Sequence, residues 1–207
     1  MANDMKLLVD GPRRAKMALV LAHGAGASMD TDFMNAFAQG LAGQGVRVVR
    51  FEFPYMVRRR QTNKRRPPDR EPVLRDTWFQ VLDMLDAKKM VVGGKSMGGR
   101  IASLIADEAK AKGLVCLGYP FHPSGKSDKL RIEHLKSLET PTLIVQGERD
   151  LFGNIHEVAG YELSENVQVH WVSDGDHSFK PRKASGISLQ QNMDDAIKAT
   201  VDFVSGL

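Results

Sequence analysis

A chain of 207 residues with 42% hydrophobic side chains is long enough to bury a full core, and we expect one domain spanning residues 1–207. The sequence shows neither a signal-peptide pattern nor an apolar run of membrane-spanning length, which argues against a membrane protein. The single cysteine, Cys116, excludes an internal disulfide framework and favours the cytoplasm.

Short apolar runs predict the strands of a central sheet. In chain order they lie at about 6–9, 17–22, 46–51, 90–95, 114–118, 142–147 and 167–172. Segments with apolar side chains at helical spacing alternate with most of them, around 33–41, 74–85, 101–105 and 189–204. This alternation predicts an α/β fold, with a mostly parallel sheet and helices on both of its faces.

A glycine-rich turn, His23-Gly24-Ala25-Gly26, follows the strand at 17–22. An H-G-x-G turn after an early strand can present a backbone N–H to an oxyanion. The turn also has the first two glycines of a dinucleotide-binding loop, but Met29 stands where that motif has its third glycine. An ordinary glycine-rich loop is the other interpretation.

Positive charge is concentrated in one segment after the strand at 46–51. Seven basic residues and one acid, Asp69, lie between Arg58 and Arg70, a net +6, so the rest of the chain carries −2 of the total +4. Because it contains Pro67-Pro68, we expect a basic loop at about 54–71. It is interpreted as a solvated loop, as a gate that attracts an anionic substrate, or as a contact for an acidic protein or nucleic acid. Nucleic acid is the weakest of these, since no reading helix accompanies the charges.

The most informative segment is Gly94-Lys95-Ser96-Met97-Gly98, which reads G-x-S-x-G between a predicted strand and a predicted helix. Small neighbours two residues to either side let the backbone turn sharply and lift the Ser96 hydroxyl clear of the sheet, as in a nucleophile elbow. A phosphate-binding P-loop would need a glycine at position 89, which is Lys89. A serine that only caps the helix is the bland alternative.

An acid and a histidine follow Ser96 in the chain order Ser, Asp, His. Asp150 comes just after the strand at 142–147 and His177 just after the strand at 167–172. Because parallel strands end at one edge of a sheet, we expect the three side chains to meet there. His177 would then act as the base and Asp150 would fix its tautomer, with Glu148, Asp174 and Asp176 as competing acids.

Five motifs together resemble those of α/β-hydrolases, and the resemblance runs from about Met17 to the C-terminus. They are His23-Gly24-Ala25-Gly26, Gly93-Gly94-Lys95-Ser96-Met97-Gly98-Gly99-Arg100, Gly118-Tyr119-Pro120-Phe121-His122-Pro123, Gly147-Glu148-Arg149-Asp150 and Gly175-Asp176-His177-Ser178-Phe179. The chain is similar to small lidless bacterial proteins grouped with the hydrolase-like domain of testis-expressed and NSL-complex subunits, and more loosely to dienelactone hydrolases. The resemblance implies the fold and the triad roles of Ser96, Asp150 and His177, with serine where dienelactone hydrolases use cysteine.

These features predict a serine hydrolase that cleaves a small-molecule ester or similar acyl substrate through an acyl-enzyme. The N–H groups of Ala25 and Met97 are expected to form the oxyanion hole, and Tyr119, Phe121 and His122 to line the substrate pocket. Only residues 118–140 separate two strands where many lipases insert a lid, so we expect an open site without a cap domain.

The predicted reaction calls for neither a metal nor an organic cofactor, and the sequence shows no metal-ligand spacing. A thioesterase or peptidase would use the same residues. A different class of function is also open: a hydrolase fold kept as a non-catalytic interaction module, which would bind acidic partners through the Arg58–Arg70 segment.

Overall fold

A seven-stranded sheet lies at the centre of the computed structural model, which describes residues 5–85 and 89–207. Its strands are β1 (Leu8–Asp10), β2 (Ala18–Ala22), β3 (Arg47–Phe51), β4 (Met90–Lys95), β5 (Gly113–Leu117), β6 (Thr142–Gly147) and β7 (Val167–Val172). Their order across the sheet is β1-β3-β2-β4-β5-β6-β7. β1 pairs antiparallel with β3 at one edge, and the other neighbours are all parallel.

Six α-helices occur in the described ranges. They are α1 (Asp32–Gly43), α2 (Pro54–Thr62), α3 (Glu71–Met84), α4 (Met97–Ile105), α5 (Ile155–Val158) and α6 (Leu189–Ser205), and 3₁₀ turns lie at Glu133–Lys136 and Lys183–Ser185. Side-chain caps define several helix starts. The Thr31 hydroxyl accepts the Met34 N–H before α1, and Ser188 forms a reciprocal capping box with Gln191 before α6.

The sheet separates two hydrophobic cores. In β2, Val20 packs in the core beneath α3 and α4, whereas its neighbour Leu21 packs in the core beneath α1 and α6. Successive side chains of a strand point to opposite faces, so a strand covered on both sides must be apolar along its length. The prediction of a mostly parallel sheet with helices on both faces is confirmed. All seven predicted strands are present, with ends within about two residues of those expected.

The expected loop at 54–71 is wrong for its first half, which forms helix α2. Pro54 starts the helix, where its fixed φ suits the first turn, and the Asp69 carboxylate accepts the Tyr55 N–H at 2.8 Å. Within the helix, the side chains of Tyr55 and Met56 are buried. The helix ends at Asn63, which has a φ of +50°, and residues 63–70 form neither helix nor strand.

The connection between β5 and β6 contains no cap. Residues 118–141 are all described and hold a single 3₁₀ turn. The ends of β5 and β6 therefore carry loops and no cap domain, as the sequence predicted. No helix in the described ranges is long and apolar enough to span a membrane.

We predict that Gly98→Ala destabilises the fold, whereas Gly43→Ala does not. A Cβ at Gly98 would lie 2.4 Å from the Ala22 carbonyl oxygen and 2.7 Å from that of His23, so the backbone would have to shift at a cost of about 2 kcal/mol or more. Gly43 is the last residue of α1 and has open space around it. Alanine there should leave the free energy of unfolding unchanged or raise it by up to about 1 kcal/mol. Urea unfolding of both variants would measure the difference, and equal midpoints would contradict the prediction.

Candidate active site

Three side chains meet at the edge of the sheet where the parallel strands end. Ser96 follows β4, Asp150 follows β6 and His177 follows β7. The His177 Nε2 atom lies 2.9 Å from the Ser96 Oγ, and its Nδ1 atom lies 2.7 Å from the Asp150 Oδ2. The structure thus brings the predicted nucleophile, base and acid into one hydrogen-bonded chain, although 81 residues separate Ser96 from His177.

Ser96 occupies a strained turn between β4 and α4. Its φ of +52° lies in the region that non-glycine residues rarely adopt. The turn fits only because its neighbours are small: a Cβ at Gly94 would lie 2.4 Å from the Ala22 carbonyl oxygen. The Ser96 N–H donates to the Leu117 carbonyl oxygen at 3.0 Å, which ties the turn to β5. This is the geometry of a nucleophile elbow.

The Asp150 carboxylate is fully buried and hydrogen-bonded at both oxygens. Its Oδ1 accepts the Phe152 N–H at 2.9 Å, and its Oδ2 accepts the Gln146 amide at 3.0 Å in addition to the imidazole. An ionised carboxylate only accepts, so His177 must carry its proton on Nδ1. Its Nε2 is then free to accept the Ser96 hydroxyl proton, as a general base must.

Gln146 is a residue of the site that the sequence analysis missed. Its Oε1 accepts the Tyr119 N–H at 2.7 Å, and its Nε2 donates to the Gly153 carbonyl oxygen at 3.0 Å as well as to Asp150. One buried amide therefore joins the loops after β5 and β6 and holds the acid in place. The only signal in the sequence is a polar residue near the end of an otherwise apolar strand.

The competing acids are engaged elsewhere. Glu148 accepts the Asp174 N–H at 2.7 Å, while the Asp174 carboxylate forms ion pairs with two arginines. Asp176 accepts two backbone N–H groups of its own turn, as expected for an aspartate in a tight loop. Of these four carboxylates, that of Asp150 is the one hydrogen-bonded to the His177 ring.

A second serine–histidine contact lies outside this edge. The Ser103 Oγ is 2.8 Å from the His134 Nε2, but its hydroxyl also donates to the Arg100 carbonyl oxygen at 2.7 Å, within α4. Because the hydroxyl donates its one proton to that carbonyl oxygen, His134 must be the donor in its contact with Ser103, and it cannot act as the base for this serine. Burial, with the charge of Arg100 adding to it, lowers the pKa of His134. This partly buried pair ties α4 to the 3₁₀ turn.

The predicted oxyanion loop passes directly beside the nucleophile. A Cβ at Gly24 would lie 3.8 Å from the Ser96 Cβ. The Met97 N–H is the first of α4, a position with no acceptor inside the helix, so it is available to an anion. The two backbone groups assigned to an oxyanion, those of Ala25 and Met97, therefore both belong to segments next to Ser96.

Helix α2 holds this loop by its carbonyl groups. The Tyr55 hydroxyl lies 2.9 Å from the Ala25 carbonyl oxygen and 3.3 Å from that of Gly24, and the Arg59 Nη1 donates to the Gly26 carbonyl oxygen at 3.0 Å. In a trans peptide the C=O and the next N–H point in opposite directions. Because the Gly24 carbonyl is turned towards Tyr55, the Ala25 N–H points away from α2.

His23 fixes the start of the same loop. Its Nε2 accepts the Phe53 N–H at 3.1 Å, so the proton is on Nδ1, which donates to the Gly24 carbonyl oxygen at 2.8 Å. Burial lowers the pKa of His23, so the imidazole is neutral in this position. The histidine of the H-G-x-G motif therefore supports the backbone and does not take part in proton transfer.

The residues predicted to line the pocket lie in the core. Tyr119 and Phe121 are fully buried and their rings pack 4.9 Å apart, and His122 is 2% exposed. The expectation of pocket walls is wrong for these side chains, because the loop after β5 turns them inward beneath the site. An aromatic side chain that does lie beside the triad is that of Phe152, whose ring centroid is 4.4 Å from that of His177.

Comparison with known proteins agrees with this geometry. A family model described as an alpha/beta hydrolase domain matches residues 15–205. The chain belongs to the α/β-hydrolase family. The fold, the serine turn and the order of the three residues along the chain are those of an α/β-hydrolase.

Several solved structures share this α/β-hydrolase fold. A serine hydrolase without a lid from Xanthomonas campestris is 17% identical, with a TM-score of 0.66 over 98% of this chain and 88% of that one. A dienelactone hydrolase from Anabaena variabilis is 19% identical, with a TM-score of 0.72 over 98% and 91%. The esterase domain of a Rhodothermus marinus protein is 15% identical, with a TM-score of 0.66 over 99% and 98%. At these identities the likeness shows the fold alone.

We predict that Tyr55→Phe slows the reaction of Ser96 with a fluorophosphonate about tenfold, because loss of a supporting hydrogen bond loosens the oxyanion loop. Tyr161→Phe is the matched control, since that tyrosine packs on Phe121 away from the loop. Stopped labelling time courses would give the rates, with melting temperatures to verify folding. Equal rates in Tyr55→Phe and wild type would contradict the prediction.

Proposed function

We propose that the protein is a serine hydrolase that cleaves a carboxylic ester through an acyl-enzyme. The observation that carries the proposal is the hydrogen-bonded chain from Asp150 through His177 to a serine with positive φ. A strained serine with a base on one side and open backbone N–H groups nearby is suited to nucleophilic attack.

In the proposed reaction His177 takes the Ser96 hydroxyl proton as the oxygen attacks the ester carbonyl. The N–H groups of Ala25 and Met97 bind the resulting oxyanion, and Asp150 stabilises the imidazolium. Collapse of the tetrahedral intermediate breaks the ester bond, and His177 gives its proton to the departing alcohol. Water then repeats these steps on the acyl-enzyme and releases the carboxylic acid, which restores Ser96.

The names of proteins with a similar fold favour an ester over a thioester or an amide as the substrate. Two proteins of similar fold carry names that denote ester cleavage, the dienelactone hydrolase and the esterase domain. The uncapped edge suits a small substrate that is exposed to water. The proposal places the enzyme in the cytoplasm, since the one cysteine offers no internal disulfide.

A preference for anionic esters is the second part of the proposal, and Arg59 supports it. On α2, Arg58 pairs with Asp69, and Arg60 pairs with Glu52 and Asp30. Within the described ranges Arg59 has no carboxylate partner. It is half-buried, and its one hydrogen bond there is to the Gly26 carbonyl.

The contact of Arg59 with Gly26 indicates how far its charge lies from Ser96. Gly26 lies two residues beyond Gly24, which is beside Ser96. Two residues of chain span at most about 7 Å, so the Arg59 guanidinium lies on the order of 10 Å from the nucleophile. That is the reach of a short acyl chain ending in a carboxylate. The exposed cations of residues 64–70 would attract such a substrate to the same edge.

We predict that a fluorophosphonate probe labels the wild type and that Ser96→Ala and His177→Ala abolish labelling. Loss of either residue should lower ester hydrolysis by about 10³-fold or more, since nucleophile and base act as a unit. Ser103→Ala and His134→Ala are the controls, because that pair makes the same kind of contact without activating its serine. Labelling that survives in Ser96→Ala, or a folded wild type that does not react, would refute the proposal. The second outcome would favour the interaction module.

We predict that Arg59→Gln lowers kcat/KM for 4-nitrophenyl hemisuccinate about fivefold more than for the neutral 4-nitrophenyl butyrate. The ratio is the useful quantity, because loss of the Gly26 contact affects both substrates, whereas loss of the charge removes about 1 kcal/mol from the anionic one alone. Arg13→Gln, at an exposed arginine before β2 and away from the triad, serves as control, and added salt should shrink the preference. An unchanged ratio in Arg59→Gln would rule out Arg59 as the anion contact.

A further inference from the structure

Lys95 is a buried cation that the reaction described above does not use. It is the last residue of β4 and immediately precedes Ser96, yet the residue is only 9% exposed. Its Nζ donates to the His177 backbone carbonyl oxygen at 2.6 Å. Two consecutive residues of the elbow therefore hold one histidine, Lys95 at its backbone and Ser96 at its ring.

Groups from several parts of the fold surround the Lys95 ammonium. At the end of β5, Gly118 has a φ of +65°, and a Cβ there would lie 2.8 Å from the Lys95 Nζ and 3.0 Å from the His177 carbonyl oxygen. From α1, the Phe33 ring centroid lies 5.5 Å from the Nζ, within the range of a cation–π contact. Of the titratable groups, Asp150 faces it from the loop after β6, and Asp176 and His177 face it from the loop after β7.

Such a position is costly for a lysine. Burial lowers the pKa of Lys95 from its ordinary 10.5 to about 8, against the opposing charges of Asp150 and Asp176. An apolar side chain would avoid the loss of hydration, so the fold alone gives no reason for a cation here. Charged groups kept under these conditions are concentrated at functional sites.

We propose that Lys95 is a positioning residue of the hydrolytic reaction, whose ammonium holds the backbone of His177 so that the imidazole stays between Ser96 and Asp150. The inference rests on the proposed hydrolase function. The loop that carries His177 includes two non-glycine residues with positive φ, Asp174 and Phe179, so its shape is imposed by contacts and not by local preference. The imidazole must accept and return a proton twice per cycle, and a base displaced by about 1 Å costs about 10²-fold in rate.

Lys95→Met and Lys95→Gln test this role, with Lys112→Met as control, at an exposed lysine just before β5. Lys95→Met keeps the length of the side chain but cannot donate, and we expect kcat to fall between about 10-fold and 100-fold with little change in KM. Lys95→Gln can donate without charge and should recover part of that loss. Wild-type kcat should decline as the pH rises past about 8, since a neutral amine donates a weaker hydrogen bond, and this decline should be absent in Lys95→Met.

Stability measurements separate positioning from folding. The folded-state pKa of Lys95 lies below its unfolded value, so the unfolded chain binds more protons between about pH 8 and 10.5. Wild type should therefore gain stability relative to Lys95→Met as the pH rises through that window, while its kcat falls. A structural role alone would make activity follow stability.

Each outcome decides between the claims. Wild-type kcat and pH profile in folded Lys95→Met would overturn the inference while leaving the hydrolase intact. If Lys95→Met does not fold, the wild-type profile decides, and kcat that stays level up to about pH 10 overturns the inference. A wild type that neither hydrolyses esters nor reacts with a fluorophosphonate would instead remove the proposed function itself.

Discussion

The close contact between the ends of β2 and β4 is the constraint on which the site depends. Gly94 and Gly98 both lie against the Ala22 carbonyl oxygen, with no space for a side chain on either. That contact has two consequences at once. The turn that makes it holds Ser96 at a positive φ, and the contact brings the chain after β2, where the oxyanion loop is proposed, next to the serine. The proposed nucleophile and the backbone proposed to bind the oxyanion are therefore placed by a single packing contact between the ends of neighbouring parallel strands.

Buried polar groups then fix the remaining parts relative to that contact. Gln146 joins Asp150 to the loop after β5, His23 joins the oxyanion loop to the start of α2, and Lys95 joins the elbow to His177. Each of these side chains is buried and satisfied by backbone or carboxylate partners from another strand end. Groups held in this way have little freedom to reorient, so the site is preorganised before a substrate arrives.

The sequence predicts the parts of this arrangement that depend on local pattern. Apolar runs gave the seven strands, and spacing from their ends placed Ser96, Asp150 and His177 at one edge. The sequence does not predict features that depend on contacts between residues far apart in the chain. Helix α2 was missed because its cap, Asp69, lies beyond the helix, and Tyr119 and Phe121 were misplaced because only the turn of the loop decides that they face inward. The roles of Gln146 and Lys95 cannot be predicted from the strands that contain them, because their partners lie in loops after other strands.

The same polar groups that organise the site weaken the fold that carries them. A positive-φ serine costs of order 1–3 kcal/mol, and a buried ammonium adds a desolvation cost. These costs are confined to one edge of the sheet, and the two cores on its faces consist of apolar side chains that can offset them. If stability alone were selected, glycine at position 96 and an apolar residue at position 95 would be better choices. Their absence is an argument for chemistry at this edge, because a module that only bound partners through α2 would have no use for the strain beneath it.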